Sequence, residues 1–130
     1  MNIDENSLPS ILLVEDDPIN VKAIGRFLRD NYKVEKATNG KDAISFAKEN
    51  SFDVILMDIG LKGEIDGLAA AREIRKMEKY KDTPVVAMTA YVLPDSEEKF
   101  LCEGCTHYLP KPFTKNQLTS LLTDILMHYD

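Results

Sequence analysis

Four short runs in this chain each break off at a polar residue capable of chemistry. Ile11–Val14 runs into Glu15, Asp16 and Asp17; Val54–Met57 into Asp58; Val85–Met88 into Thr89; and His107–Pro110 into Lys111. Longer amphipathic stretches separate them. Apolar runs alternating with amphipathic stretches are the βα pattern of a parallel sheet covered by helices. The first three runs are continuously apolar, as strands buried on both faces must be. Lys33–Ala37 alternates charged and apolar residues and reads as an edge strand, and Thr106–Leu109 supplies a fifth. If all five are parallel, the polar ends of the runs gather at one edge of one sheet.

The helices are marked by their ends and periods. Asp17-Pro18 offers an N-cap followed by proline in the first turn, with Val21, Ile24 and Leu28 on one face. Asn39 caps a second helix whose inner face is Ala43, Ile44 and Ala47. Leu68, Ala71, Ile74 and Met77 follow Asp66-Gly67. A fourth helix is expected after Pro94, anchored by Phe100 and Leu101, and is expected to be the least stable. Thr114 and Gln117 fit a capping box. Leu118, Leu121, Leu122, Ile125 and Leu126 then recur at helical spacing.

With 130 residues, the chain suits one domain able to bury a core without a disulfide or metal staple. Residues 1–9 read as a loose lead-in and residues 10–130 as the domain. The fold expected is α/β: a single doubly wound five-stranded parallel sheet, order 2-1-3-4-5, with five helices, flavodoxin-like. A net charge of −6, with no Lys/Arg run, argues against direct nucleic-acid binding. No run approaches the ~20 apolar residues that span a bilayer. With no export signal and two cysteines, the cytoplasm is the expected compartment.

In a sheet of this order, ligands sit beyond the carboxyl ends of strands one and three, where strand order reverses. Glu15, Asp16 and Asp58 would crowd there. Carboxylates this close raise one another's pKa or recruit a cation, and hard oxygen ligands suit Mg²⁺ or Mn²⁺. Phosphoryl transfer needs charge neutralised over three equatorial oxygens. A divalent ion can hold one, the Lys111 ammonium a second, and the Thr89 hydroxyl with backbone N–H groups the third. Asp58 is then the nucleophile, and Ala90 is small enough to leave room.

From about residue 10 to residue 128 the chain resembles the receiver domain of two-component response regulators, which is CheY-like. The resemblance is carried by the acidic pair in VEDDPIN, the aspartate of VILMDI, the threonine of VVAMTA, and the tyrosine and lysine of HYLPKPF. It implies that Asp58 is the phosphoacceptor and that Asp16, Asp58 and the Gly60 carbonyl bind Mg²⁺, with Glu15 acting through a water. It implies that Lys111 pairs with Asp58 and then with the phosphoryl oxygens, and that the Lys111–Pro112 bond is cis. Thr89 and Tyr108 would be the switch pair, biasing the face built from the fourth helix, fifth strand and fifth helix. The phosphodonor would be a sensor histidine kinase or a phosphotransfer protein, and the output an unidentified downstream protein. The chain would act as an autocatalytic phosphoacceptor that slowly dephosphorylates itself, not as a multiple-turnover enzyme. It would be either a stand-alone receiver or part of a hybrid kinase or larger regulator.

Two departures from the family pattern stand out. Lys62 occupies the position four past the acceptor where most receivers have proline, and LKGEIDG is one residue longer than usual, with Gly63 available to relieve the turn. Metal affinity is the property these changes would touch. Gly60 and Tyr91 take the two variable positions that tune phosphoryl lifetime in the family.

Other readings fit the residues less well. A phosphatase using an aspartyl phosphate usually has a second aspartate two past the nucleophile; Gly60 stands there. A flavodoxin-type module would need a Ser/Thr/Gly-rich loop after the first strand, where this chain has carboxylates. A receiver used as a phosphorylation-independent docking module is separated only by binding measured with and without phosphodonor. Asp17 is read as a helix cap only. Cys102-Glu103-Gly104-Cys105 has too few partners for zinc and reads as small buried thiols at a helix end, with Gly104 as its C-cap. His107 reads as an edge-strand residue, and with His128 it is too isolated for phosphotransfer on histidine.

Overall fold

The computed structural model describes residues 8–90 and 104–128. Five strands form one parallel sheet in the order β2-β1-β3-β4-β5. They are β1 (Ser10–Val14), β2 (Lys33–Ala37), β3 (Val54–Asp58), β4 (Val85–Thr89) and β5 (His107–Pro110). Among the described residues four α-helices cover the sheet: α1 (Pro18–Leu28), α2 (Gly40–Glu49), α3 (Gly67–Arg75) and a C-terminal helix (Lys115–His128). The helix expected after Pro94, with Phe100 and Leu101, lies outside the described residues, as do Tyr91 and Cys102.

The continuous apolar runs are sorted by the two-residue period of a strand. Leu12, Val14, Ile55, Met57, Val85 and Ala87 face one side, packing with Ala43 and Ala47 of α2 and Ala70, Ala71 and Ile74 of α3. Ile11, Leu13, Val54, Leu56, Val86 and Met88 face the other, against Ile24 and Leu28 of α1 and Leu118, Leu122 and Ile125 of the C-terminal helix. Edge strand β2 leaves Lys33, Glu35 and Lys36 exposed and buries only Ala37 fully.

The expected caps are in place. The Asp17 carboxylate and Asn39 amide oxygens accept from the N–H groups of Ile19 and Asp42; Asp66, not named as a cap from the sequence, accepts likewise from the Ala69 N–H. Thr114 and Gln117 bond reciprocally, as a capping box requires. Gly104 has φ +104°, the backbone a C-cap glycine supplies. The helix it would close falls among the undescribed residues.

Met77 departs from expectation. α3 ends at Arg75, Lys76 is its C-cap, and Met77 opens a short 3₁₀ turn, Glu78–Tyr80. A strict three-residue spacing turns by about 60° per step relative to a helix face at ~100° per residue. By the fourth member the repeat points to the opposite side. Met77 reaches the core because the helix has already stopped.

That turn closes α2. Tyr80 is 1% exposed, and its hydroxyl lies 2.8 Å from both the Ala47 and the Asn50 carbonyls, to which its single proton is shared. Lys79 Nζ donates to the Lys48 and Asn50 carbonyls. The last carbonyls of a helix have no partner within it, and these two side chains supply one. Tyr80→Phe is therefore expected to cost about 1–2 kcal/mol, read as a lower urea midpoint at unchanged m-value. An unchanged midpoint would mean that the carbonyls are satisfied without the phenol.

Arg75 joins the same corner to Gly104, three residues ahead of β5. Its guanidinium donates to the carbonyls of Tyr80, Lys81 and Gly104.

Candidate functional site

The polar ends do meet. Glu15 follows β1 and prolongs its ladder, its N–H donating to the Ala37 carbonyl at 3.0 Å. Asp58 closes β3, and the Ile59 N–H behind it donates to the Met88 carbonyl at 2.9 Å. Thr89 closes β4, and its carbonyl accepts from the Lys111 N–H at 2.7 Å. The Lys111–Pro112 peptide is cis. A cleft of about 670 Å³ opens at this edge, and Glu15, Asp16, Asp58, Gly60, Thr89, Ala90 and Lys111 all line it.

Among the described residues, Glu15, Asp58 and Thr89 are the buried polar ones, at 1%, 5% and 4% exposure. Lys111 Nζ stands 2.9 Å from Glu15 Oε2 and 3.3 Å from Asp58 Oδ1. Asp58 Oδ1 also accepts from the Gly60 N–H at 2.9 Å, which turns the chain sharply after β3. Burial pushes the Glu15 carboxyl above its usual range; the Lys111 and Asn20 hydrogen bonds oppose this, and the charge of Asp58 adds to it. For Lys111, burial works against the charge, but the hydrogen bond to Glu15 and the charge of Asp58 outweigh it, and its pKa is raised. The ammonium is thus held charged between two carboxylates.

One carboxylate oxygen from each of Glu15, Asp16 and Asp58 lies within 4.8 Å of the others. Three hard anionic oxygens in a water-accessible cleft match the donor set and partial hydration of a Mg²⁺-type ion. Lys111, with its single positive charge, leaves a net negative charge for a cation to balance.

Two contributors were missed from the sequence. The Asn20 amide, in the first turn of α1, donates to Glu15 Oε1 at 3.2 Å. The Lys62 backbone N–H donates to Asp16 Oδ2 at 3.2 Å. Asn20 could have been suspected as a polar residue one turn past the Asp17 cap. A backbone donor carries no side-chain signal. The loop after Asp58 turns at Gly63, whose φ is +114° with open space around it. Leu61 is buried, 5% exposed, so the segment where proline is absent is anchored by a side chain on one side of Lys62 and eased by a glycine on the other.

Tyr108 pairs with Ala87 across β4 and β5 and packs, partly buried, on the core beneath α2 and α3. His107 lies on edge strand β5, its Nδ1 2.8 Å from the Thr106 hydroxyl. Burial lowers its pKa, against the charge of Asp124. Cys105 is buried in the core beneath α2 and α3. Among the described residues no helix is long and apolar enough to cross a membrane.

The chain is similar to known proteins in sequence and fold. The chain is 38% identical over 121 residues to the signal transduction histidine-protein kinase BarA of Escherichia coli, covering 92% of this chain but 13% of BarA. It thus spans a small part of that relative's length. The receiver domain of the sensor histidine kinase PA1611 from Pseudomonas aeruginosa, whose structure has a magnesium ion coordinated in its active-site cleft, superposes with a TM-score of 0.80 at 37% identity, covering 95% of this chain and 98% of that one. The chemotaxis response regulator CheY4 of Vibrio cholerae superposes with a TM-score of 0.87 at 28% identity, covering 92% of this chain and 99% of that one. The family described as the response regulator receiver domain matches residues 11–123. With the sheet order, the acidic cleft and these relatives in agreement, the chain belongs to the response regulator receiver domain family.

Proposed function

We propose that this receiver domain is a phosphorylation-dependent switch in which Asp58 takes a phosphoryl group. The observation that carries the reading is the Lys111 ammonium held between Glu15 and Asp58 beside a third carboxylate, at the carboxyl edge of the sheet. A carboxylate oxygen of Asp58 attacks phosphorus in line, the bond from phosphorus to the donor's nitrogen or oxygen breaks, and the donor leaves with that electron pair. Lys111 moves from Asp58 to a phosphoryl oxygen as negative charge accumulates. Thr89, at the adjoining strand end, receives another oxygen. Glu15, Asp16, Asp58 and the Gly60 carbonyl would hold Mg²⁺, or Mn²⁺, which when bound neutralises phosphoryl charge that the carboxylates would otherwise repel. Ala90 and Gly60 leave the space that the group occupies.

The kinship with receiver domains of sensor kinases supports a histidine kinase or phosphotransfer protein as donor, and with it a cytoplasmic setting. Thr89 and Tyr108 are the residues through which occupancy would reach the face expected of the fourth helix, fifth strand and fifth helix, for an as yet unidentified protein partner. Gly60 provides no second acid to activate water, so the chain turns over slowly on itself and is not a phosphatase.

Incubation with acetyl phosphate and Mg²⁺ is expected to add one phosphoryl group by intact mass, and a chelator to prevent it. No uptake by the wild-type protein at saturating donor and metal would overturn the reading.

A further inference from the structure

We propose that Asn20 is a positioning residue for the metal-holding end of the cleft, acting through Glu15; the inference rests on the reading of that cleft as a Mg²⁺ site. The Glu15 side chain is 1% exposed, and a carboxylate this buried persists only if both oxygens are met by donors. Lys111 meets Oε2 at 2.9 Å and Asn20 meets Oε1 at 3.2 Å. No described buried side-chain oxygen or nitrogen is left unpaired.

The choice of an amide matters. A lysine or arginine at position 20 could also reach Glu15, but it would cancel the negative charge that the cleft needs to attract a cation. Asn20 supplies a donor and no charge. It is also delivered from a fixed element, since α1 is started by the Asp17 cap and by Pro18 at its first position.

Without the amide, Oε1 loses the donor that holds it, and the strong donor left on this carboxylate is the Lys111 ammonium, 2.9 Å from Oε2. The carboxylate then turns both oxygens toward Lys111, which already stands closer to Glu15 than to Asp58, at 2.9 Å against 3.3 Å. That rotation draws Glu15 away from Asp16 and Asp58 and breaks up the group of three oxygens. Partners that orient metal-holding side chains typically contribute about 10–100-fold to metal affinity.

The test is calorimetric titration of Mg²⁺ into wild type, Asn20→Ala, Glu15→Ala and the double variant, with thermal unfolding as a check on folding. Alanine favours the helix at this position, so the single variant folds. Asn20→Ala is expected to weaken Mg²⁺ binding about tenfold and to shift the Mg²⁺ midpoint of phosphoryl uptake by the same factor, with uptake at saturating Mg²⁺ changed far less. In the Glu15→Ala background the same substitution should have almost no further effect, because its partner is gone. Wild-type affinity in Asn20→Ala, or an equal loss in both backgrounds, would overturn the proposal. So would wild type that binds no Mg²⁺. Wild type that binds Mg²⁺ but takes up no phosphoryl group would sink the phosphoacceptor reading while the four titrations still decide the role of Asn20.

Discussion

Asp58→Asn is expected to abolish phosphoryl uptake from acetyl phosphate, with the rate falling on the order of 10⁴-fold or more, while the protein stays folded. The magnitude is that of removing a nucleophile outright. Asparagine keeps the shape and the oxygen that accepts the Gly60 N–H at 2.9 Å, so the turn after β3 survives. What disappears is the anionic oxygen that attacks phosphorus. The neighbouring carboxylates are poor substitutes. Both Glu15 oxygens are engaged, by Lys111 and Asn20, and Asp16 is tied to the Lys62 N–H. The substitution also removes one of three crowded negative charges, so thermal stability should hold or rise. Intact mass after incubation with donor and Mg²⁺, read beside a melting curve, separates the outcomes. Labelling of a folded Asp58→Asn protein at the wild-type rate would place the phosphoacceptor elsewhere.

The frame of this site was readable because parallel strands put their ends where the sheet dictates. Once Val54–Met57 is a buried strand, Asp58 has one place to go, and the same holds for Glu15, Thr89 and Lys111. Caps are readable for a related reason: the donor and acceptor are neighbours in sequence, as with Asn39 and the Asp42 N–H. What escaped were contacts set by how elements pack. The Lys62 N–H meets Asp16 from 46 residues away, and the Tyr80 phenol meets the Ala47 carbonyl from 33. Backbone donors and carbonyls look alike along a sequence, so nothing singles these out before the fold brings them together. The Met77 spacing misled for a different reason, since a three-residue repeat is not a helix face over that length. The loop between Asp58 and Asp66 was singled out as a departure from the family pattern, and its contribution, a backbone donor to Asp16, is visible only in three dimensions.

The start of α3 shows how closely that loop is fitted to the acceptor strand, and Gly67→Ala is the substitution expected to damage the fold most. A methyl group at Gly67 would lie 2.1 Å from the Asp58 carbonyl oxygen and 2.9 Å from both the Asp58 carbonyl carbon and Ile59 Cα. All three are backbone atoms at the end of a central strand, so no side chain can swing aside. Relief requires α3 to back away from the sheet or the end of β3 to move. Overpacking of this kind costs typically about 1–3 kcal/mol and sometimes more. The rigid surroundings put this case at or above the upper end, beyond the ~1 kcal/mol that alanine gains over glycine in a helix. Because the displaced atoms belong to Asp58 itself, Mg²⁺-dependent phosphoryl uptake should fall even where the variant remains folded. Gly60→Ala is the matched control. Its added carbon would meet only the Asp58 carboxylate, at 3.4 Å, an ordinary contact, so it should shift stability little. Denaturant midpoints for the two variants decide the matter: a Gly67→Ala protein as stable as Gly60→Ala would mean that the close approach of α3 to the acceptor strand is not a constraint on the fold.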